Sequence, residues 1–184
     1  MDTKAYLADV VRTFRNYKAL ADKALAQVPA DADLHVQIDP DSNSIAVIVK
    51  HVAGNLRSRF QDFLTSDGEK PDRNRDREFE MPEALPRADL VKKWDEAWAI
   101  ALAAIETLTP EDLDRTIAIR GEAFLVPEAL NRSATHTAYH VGQIVYVARH
   151  LATGTWKSLS IPKGESSNFS TGAFKTKGIT PGAT

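Results

Sequence analysis

The chain has 184 residues, 43% of them hydrophobic and 26% charged, with a formal net charge of −2. That length and balance suit one globular unit with its own core, and the absence of a basic stripe argues against a nucleic-acid partner. With no cysteine, disulfides, thiolate metal sites and a cysteine nucleophile are excluded, so a bound metal must be held by nitrogen and oxygen.

No stretch of about 18 apolar residues is present, so no membrane partner is expected. The first eleven residues include Asp2, Lys4 and Asp9 and lack the apolar core of a signal peptide. The expected compartment is the cytoplasm.

Tyr6, Leu7, Val10, Phe14, Tyr17, Leu20, Ala21, Ala24 and Val28 recur at helical spacing and predict a first helix over 3–28. A connector rich in Asp and Pro follows, from Pro29 to Pro40. Ser42, Asn43 and Ser44 are good helix N-caps, and the apolar face of Ile45, Ile48, Val49, Val52, Leu56 and Phe63 predicts a second helix over 44–65. Residues 67–86, with Pro71, Pro82 and Pro86, read as a long loop. Within it, the charged run from Asp72 to Arg77 reads as solvated. A third helix over 87–108 carries Trp94, Trp98, Ala101, Ile105 and Leu108 on one stripe, with the tryptophans expected in the core or at a dimer interface.

Thr109-Pro110-Glu111-Asp112 suits the start of a short helical turn. Two β-prone runs then flank Arg120-Gly121-Glu122, which predicts a small β-hairpin or an extended loop. A fourth long helix runs from Pro127 to Leu151, stopped by Thr153-Gly154. The expected fold is all-α, a four-helix bundle over 1–155, with an irregular C-terminal tail over 156–184 whose end is mobile.

Chemistry concentrates in the histidines. His136 and His140 stand four apart, one turn apart on the same helix face. Taking Leu130 as zero, they fall at about 240° and 280°, on the flank of the core face, together with Gln143. His51 lies at about 240° on the second helix when Ile45 is zero, with Asn55 near 280°. Two helix flanks that meet in a bundle would bring three imidazoles to one divalent metal and leave coordination positions open, as catalytic sites do. The competing reading is that these histidines are satisfied by hydrogen bonds on the helix flank. His35, in the connector, and His150, on the outer face, are expected to be bystanders.

Other metal-site types do not fit. A zincin needs Glu directly after the first His, where Thr137 stands. A ferritin-like site needs Glu three residues before His, where Ile48 and Thr137 stand. A two-histidine, one-carboxylate site needs an acid nearby, and Asp62 is about 16 Å along the helix from His51.

The run from Leu130 to Ile144, with His136-Thr137-Ala138-Tyr139-His140-Val141-Gly142-Gln143, resembles the last-helix signature of the DinB-like superfamily, and Ile48 to Leu56 is similar to its second-helix signature. The likeness extends to about Leu151 and points to an uncharacterised branch. It implies a four-helix bundle, usually a homodimer, whose three histidines hold zinc or nickel. It also implies metal-dependent transferase chemistry with a low-molecular-weight thiol, since characterised members include such transferases and isomerases; others are called hydrolases.

Three readings therefore stay open: thiol-dependent transfer to a small-molecule substrate, metal-dependent hydrolysis, and a non-enzymatic dimeric metal-binding module. Asn55 and Gln143 are candidates to hold the ligating histidines through their other ring nitrogen, or are ordinary flank polar groups. Arg59 is a candidate anchor for a cofactor carboxylate, or forms a salt bridge to an acid on a neighbouring helix. Gly142, in mid-helix, suggests close approach of another helix or a ligand.

Overall fold

The computed structural model describes residues 2–80 and 84–168. Its long helices are α1 (Thr3–Leu25), α2 (Ile45–Phe60), α4 (Arg87–Glu106) and α5 (Val126–Leu151), with a one-turn α3 (Arg75–Glu78) between α2 and α4. Three of the long helices start at a side-chain hydrogen bond. Asp2 Oδ1 accepts from the backbone N–H groups of Lys4 and Ala5 at 3.0 and 3.1 Å, and Ser44 Oγ accepts from that of Val47 at 3.3 Å. At the start of α5, Glu128 Oε2 accepts from the Leu125 N–H at 2.8 Å.

The four long helices pack as a ring: α2 against α4 and α5, and α1 against α5 and α4. The expected bundle is therefore present. Its centre is aromatic: Phe14 meets Phe60 edge-on at 5.6 Å and Trp98 at 6.2 Å, and Trp94 meets Trp98 at 5.4 Å. Both tryptophans are fully buried, with Trp94 Nε1 donating to Asp22 Oδ1 at 2.9 Å, so they belong to the core of one chain. Arg87 clips the start of α4 to the end of α1 through the carbonyls of Leu25 (2.8 Å) and Val28 (2.9 Å).

Helix α2 stops at Phe60, five residues before the periodicity suggested. Gln61 turns extended, and Asp62 takes a left-handed conformation at φ 52°. Its carbonyl accepts from the Thr65 and Ser66 N–H groups, both at 3.0 Å, so the segment continues as a turn. Phe63 still reaches the core against Phe60, at 5.2 Å, which explains the misleading apolar stripe.

The hairpin is real: β1 (Thr116–Ile119) pairs antiparallel with β2 (Glu122–Leu125), Ile119 opposite Glu122. Its two-residue turn has positive φ at both Arg120 (57°) and Gly121 (75°), the twist that suits a tight hairpin. Asp67 accepts from both turn N–H groups at 2.8 Å, and Gly68 N–H donates to the Ala118 carbonyl at 2.8 Å. The hairpin is thereby sewn to the loop after α2.

The tail begins pinned: Lys157 N–H donates to Gln27 Oε1 at 2.6 Å, and Trp156 and Leu159 lie against the core. It is irregular up to a short 3-10 turn at Ser166–Asn168. The mobile end expected beyond it lies outside the described residues.

Candidate metal centre

Helices α2 and α5 bring His51, His136 and His140 together. One ring nitrogen from each lies within 4.8 Å of those of the other two. His51 and His140 are buried and His136 is partly so. The ring centroids are 4.6 to 5.2 Å apart.

The hydrogen bonds decide what these rings present to one another. His51 Nδ1 lies 2.8 Å from Glu78 Oε2. A carboxylate only accepts, so Nδ1 carries the hydrogen and, in the neutral ring, Nε2 offers a lone pair. His140 Nδ1 donates likewise to Gln143 Oε1 at 2.7 Å, freeing its Nε2. His51 Nε2 and His136 Nε2 are 3.2 Å apart. Two nitrogens bound at 2.0–2.1 Å to a tetrahedral ion would be separated by about 3.3–3.4 Å. The donor set and this one spacing therefore suit a divalent cation. His136 Nδ1 is buried with no hydrogen-bond partner among the described residues.

Burial favours the neutral form of His136 and of His140, the form that ligates a metal. It pushes the His136 pKa down from 6.5 to about 4, helped by the positive forms of His140 and His51. Burial also lowers that of His140, partly opposed by the Gln143 hydrogen bond.

Glu78 is the residue the sequence did not reveal. Asn74 Oδ1 caps α3 by accepting from the Arg77 N–H at 3.1 Å, and α3 delivers Glu78 to the centre. Lys50 Nζ ties the segment to α2 by donating to the carbonyls of Glu80 (2.7 Å) and Arg77. Glu78 is 7% exposed. Burial alone would raise its pKa, but the hydrogen bonds from His51 and Arg73 hold it below the usual carboxylate range. Arg73 donates through Nε to Oε1 at 2.8 Å and through a terminal nitrogen to Oε2 at 2.9 Å.

The run from Asp72 to Arg77 is therefore only partly solvated, since the Arg73 side chain is 4% exposed. The Pro and charge content of 67–86 masked a one-turn helix with a buried acid. The one available signal was Asn74 ahead of Arg75-Asp76-Arg77-Glu78, a capped turn. Glu78 approaches α2 at Gly54, where an added Cβ would lie 2.9 Å from the Glu78 Cδ.

The remaining candidates fall as follows. Asn55 is buried, 8% exposed, and faces the same cavity as His51 without hydrogen-bonding to a histidine. Gln143 touches His140. Arg59 lines the cavity but is paired with Glu69 at 2.9 Å and with the Gly68 carbonyl, so its salt bridge runs to the loop after its own helix. Asp62 lies beyond the end of α2. His35 Nε2 bonds to the Leu85 carbonyl at 2.9 Å, and His150 is exposed on α5. Gly142 has no atom within 4 Å of where a Cβ would stand, so no helix of this chain approaches it closely.

A cavity of about 720 Å³ opens beside the three histidines, walled by Asn55, Ser133, Tyr139 and five arginines. Fold and site together define a helical bundle with a three-histidine cluster that could hold one metal ion, at the base of a small-molecule-sized cavity. A family model described as a protein of unknown function, DUF1572, matches residues 2–165, and the chain belongs to that family. No curated protein and no solved structure matches it.

Proposed function

We propose that this chain is a DinB-like, divalent-metal-dependent transferase that joins a low-molecular-weight thiol to a small-molecule substrate. The observation that carries this reading is the convergence of three imidazole nitrogens, with two of the outer ring nitrogens tied to Glu78 and Gln143. His51, His136 and His140 would hold the ion, with zinc or nickel suiting an all-imidazole set. Its positive charge would favour thiolate over thiol, and the sulfur must come from outside because the chain has no cysteine. Glu78 fixes the His51 tautomer through Oε2, and Gln143 does so for His140. Asn55, on the cavity wall and with no side-chain hydrogen bond among the described residues, can orient a bound group but cannot take a proton at neutral pH.

Transfer is favoured over hydrolysis by one feature of the cavity. Among the described residues, no Asp or Glu lines it, and both Glu78 oxygens are engaged by Arg73 and His51. A hydrolase would want a free base within reach of its water.

A homodimer in the cytoplasm completes the reading. Tyr146, 74% exposed, stands one turn from open Gly142 on α5. Twice the chain mass by light scattering is expected, and a monomer would remove this part.

The first test is elemental analysis of untagged protein beside the His136→Ala, His140→Ala double variant. About one divalent ion per chain is expected in the wild type and almost none in the variant. Wild-type protein that cannot be loaded ends the metal reading. With loaded protein, product formed only when a thiol is supplied supports transfer. Product without thiol points to hydrolysis, and no product across thiols and electrophiles points to a binding module.

A further inference from the structure

The cavity beside the histidines has a strong charge bias in a chain whose formal net charge is −2. Arg59, Arg73, Arg75, Arg120 and Arg132 all line it, and no acidic side chain among the described residues does. Three of these guanidiniums are already committed. Arg59, Arg73 and Arg120 share Glu69 at 2.9, 3.3 and 3.2 Å, and Arg73 also holds Glu78. The other two are not. Among the described residues Arg75 pairs only with Asp76, at 3.8 Å, whose side chain is 94% exposed. Arg132 forms no ion pair or hydrogen bond through its side chain among the described residues.

Both free guanidiniums lie against aromatic rings. Arg75 sits 5.1 Å from the centroid of Phe79, and Phe79 in turn lies 4.7 Å from the His51 ring. Arg132 sits 5.6 Å from the centroid of Phe124. A ring contact restrains the guanidinium while leaving its N–H edge available in the plane. That edge matches the two oxygens of a carboxylate or a phosphate. Neutral polar groups await a partner in the same cavity. Asn55 and Ser133 are 8% and 6% exposed, both face it, and neither side chain is hydrogen-bonded within the described protein. Both open onto the cavity, so a ligand that enters it can hydrogen-bond to them.

We propose that this cavity binds a small anionic molecule, whose carboxylate or phosphate group is gripped by Arg75 and Arg132 while its remainder reaches Asn55, Ser133 and the three histidines. The volume of about 720 Å³ suits a small molecule, and the concave arrangement favours it over a nucleic acid or other extended polyanion. This deepens the transferase reading by naming the charge class of its substrate or thiol. It rests on that reading only for the ligand's role, because the arginine site needs no metal to bind an anion.

The test uses chelator-treated full-length protein, dialysed free of chelator, at pH 7.5 and low ionic strength. Titration calorimetry with inorganic pyrophosphate and with tricarballylate covers phosphate and carboxylate, and glucose serves as the uncharged control. Binding of at least one of the two anions, and not glucose, is expected. The Arg75→Gln, Arg132→Gln double variant should bind at least tenfold more weakly, whereas Arg12→Gln, on α1, should match the wild type. Both cavity arginines are exposed enough that circular dichroism should show an unchanged fold.

Three results overturn the proposal: neither anion binds, affinity falls equally in Arg12→Gln, or heparin binds while both small anions stay silent. The His136→Ala, His140→Ala variant separates the two readings. Anion binding retained there, in a protein whose wild type takes up no metal, would keep the anion site and discard the metal. Metal uptake with no anion binding would do the reverse.

Discussion

At Gly54 a single methyl group would meet the Glu78 carboxyl group, with Cδ 2.9 Å away and Oε1 closer still. That carboxylate cannot step aside freely, because Arg73 holds both of its oxygens and His51 a third hydrogen bond. Gly54→Ala should therefore push Glu78 off His51 while leaving the helix intact. Losing a partner of this kind weakens metal affinity by roughly 10–100-fold. Competition against a chelator measures it, and an unchanged affinity would show that Glu78 does not hold His51 for a metal. A second expectation at this scale concerns protons. Unfolded His136 takes up a proton near 6.5, and the folded residue only near 4. In metal-free protein its contribution is thus complete above pH 6.5 and is lost as the pH falls from there towards 4. Urea midpoints should drop across that window in the wild type and drop less in His136→Gln. Equal slopes in the two proteins would contradict it.

At the scale of elements, the helices follow their local signals. Ser44 is 3% exposed and caps α2, the helix that carries His51, Asn55 and Arg59. Ser44→Ala should cost about 1 kcal/mol of unfolding free energy, the usual worth of an N-cap, read from chemical denaturation. No measurable loss would mean that α2 is held by packing alone. Where local signals misled, a tertiary contact had intervened. The stripe ending in Phe63 read as helix because Phe63 is buried, yet it reaches Phe60 from a turn set by Asp62 at positive φ. The loop of 67–86 read as solvent-facing because its composition is polar. Several of its polar groups instead have protein partners: Arg73 with Glu69 and Glu78, and Asp67 with the hairpin turn.

At the scale of the whole molecule, the three histidines come from two helices held by one core that includes Phe14, Trp94 and Trp98. A metal that joins α2 to α5 binds the folded chain and not the unfolded one, so it should raise stability by mass action, about 2.7 kcal/mol at a hundredfold excess over its dissociation constant. Thermal unfolding should shift upward with zinc or nickel in the wild type and stay put in the His136→Ala, His140→Ala variant. A shift of equal size in both would place the metal elsewhere. No described helix is long and apolar enough to cross a membrane, and the buried apolar residues of the four long helices form one core.

The sequence by itself determined the helical bundle and singled out the three histidines as candidates, because both rest on short-range periodicity, whereas it left the hairpin open against an extended loop. Apolar residues recur every three to four positions, His136 and His140 stand one turn apart, and His51 occupies the matching flank of α2. Only the tertiary structure decided how those histidines are held and what charge surrounds them. Glu78 lies 27 residues from His51, Arg73 five from Glu78, and the cavity's arginines come from α2, the segment around α3, the hairpin turn and α5. Electrostatics and hydrogen bonding act through space, and no spacing along the chain records which loop folds back onto which helix.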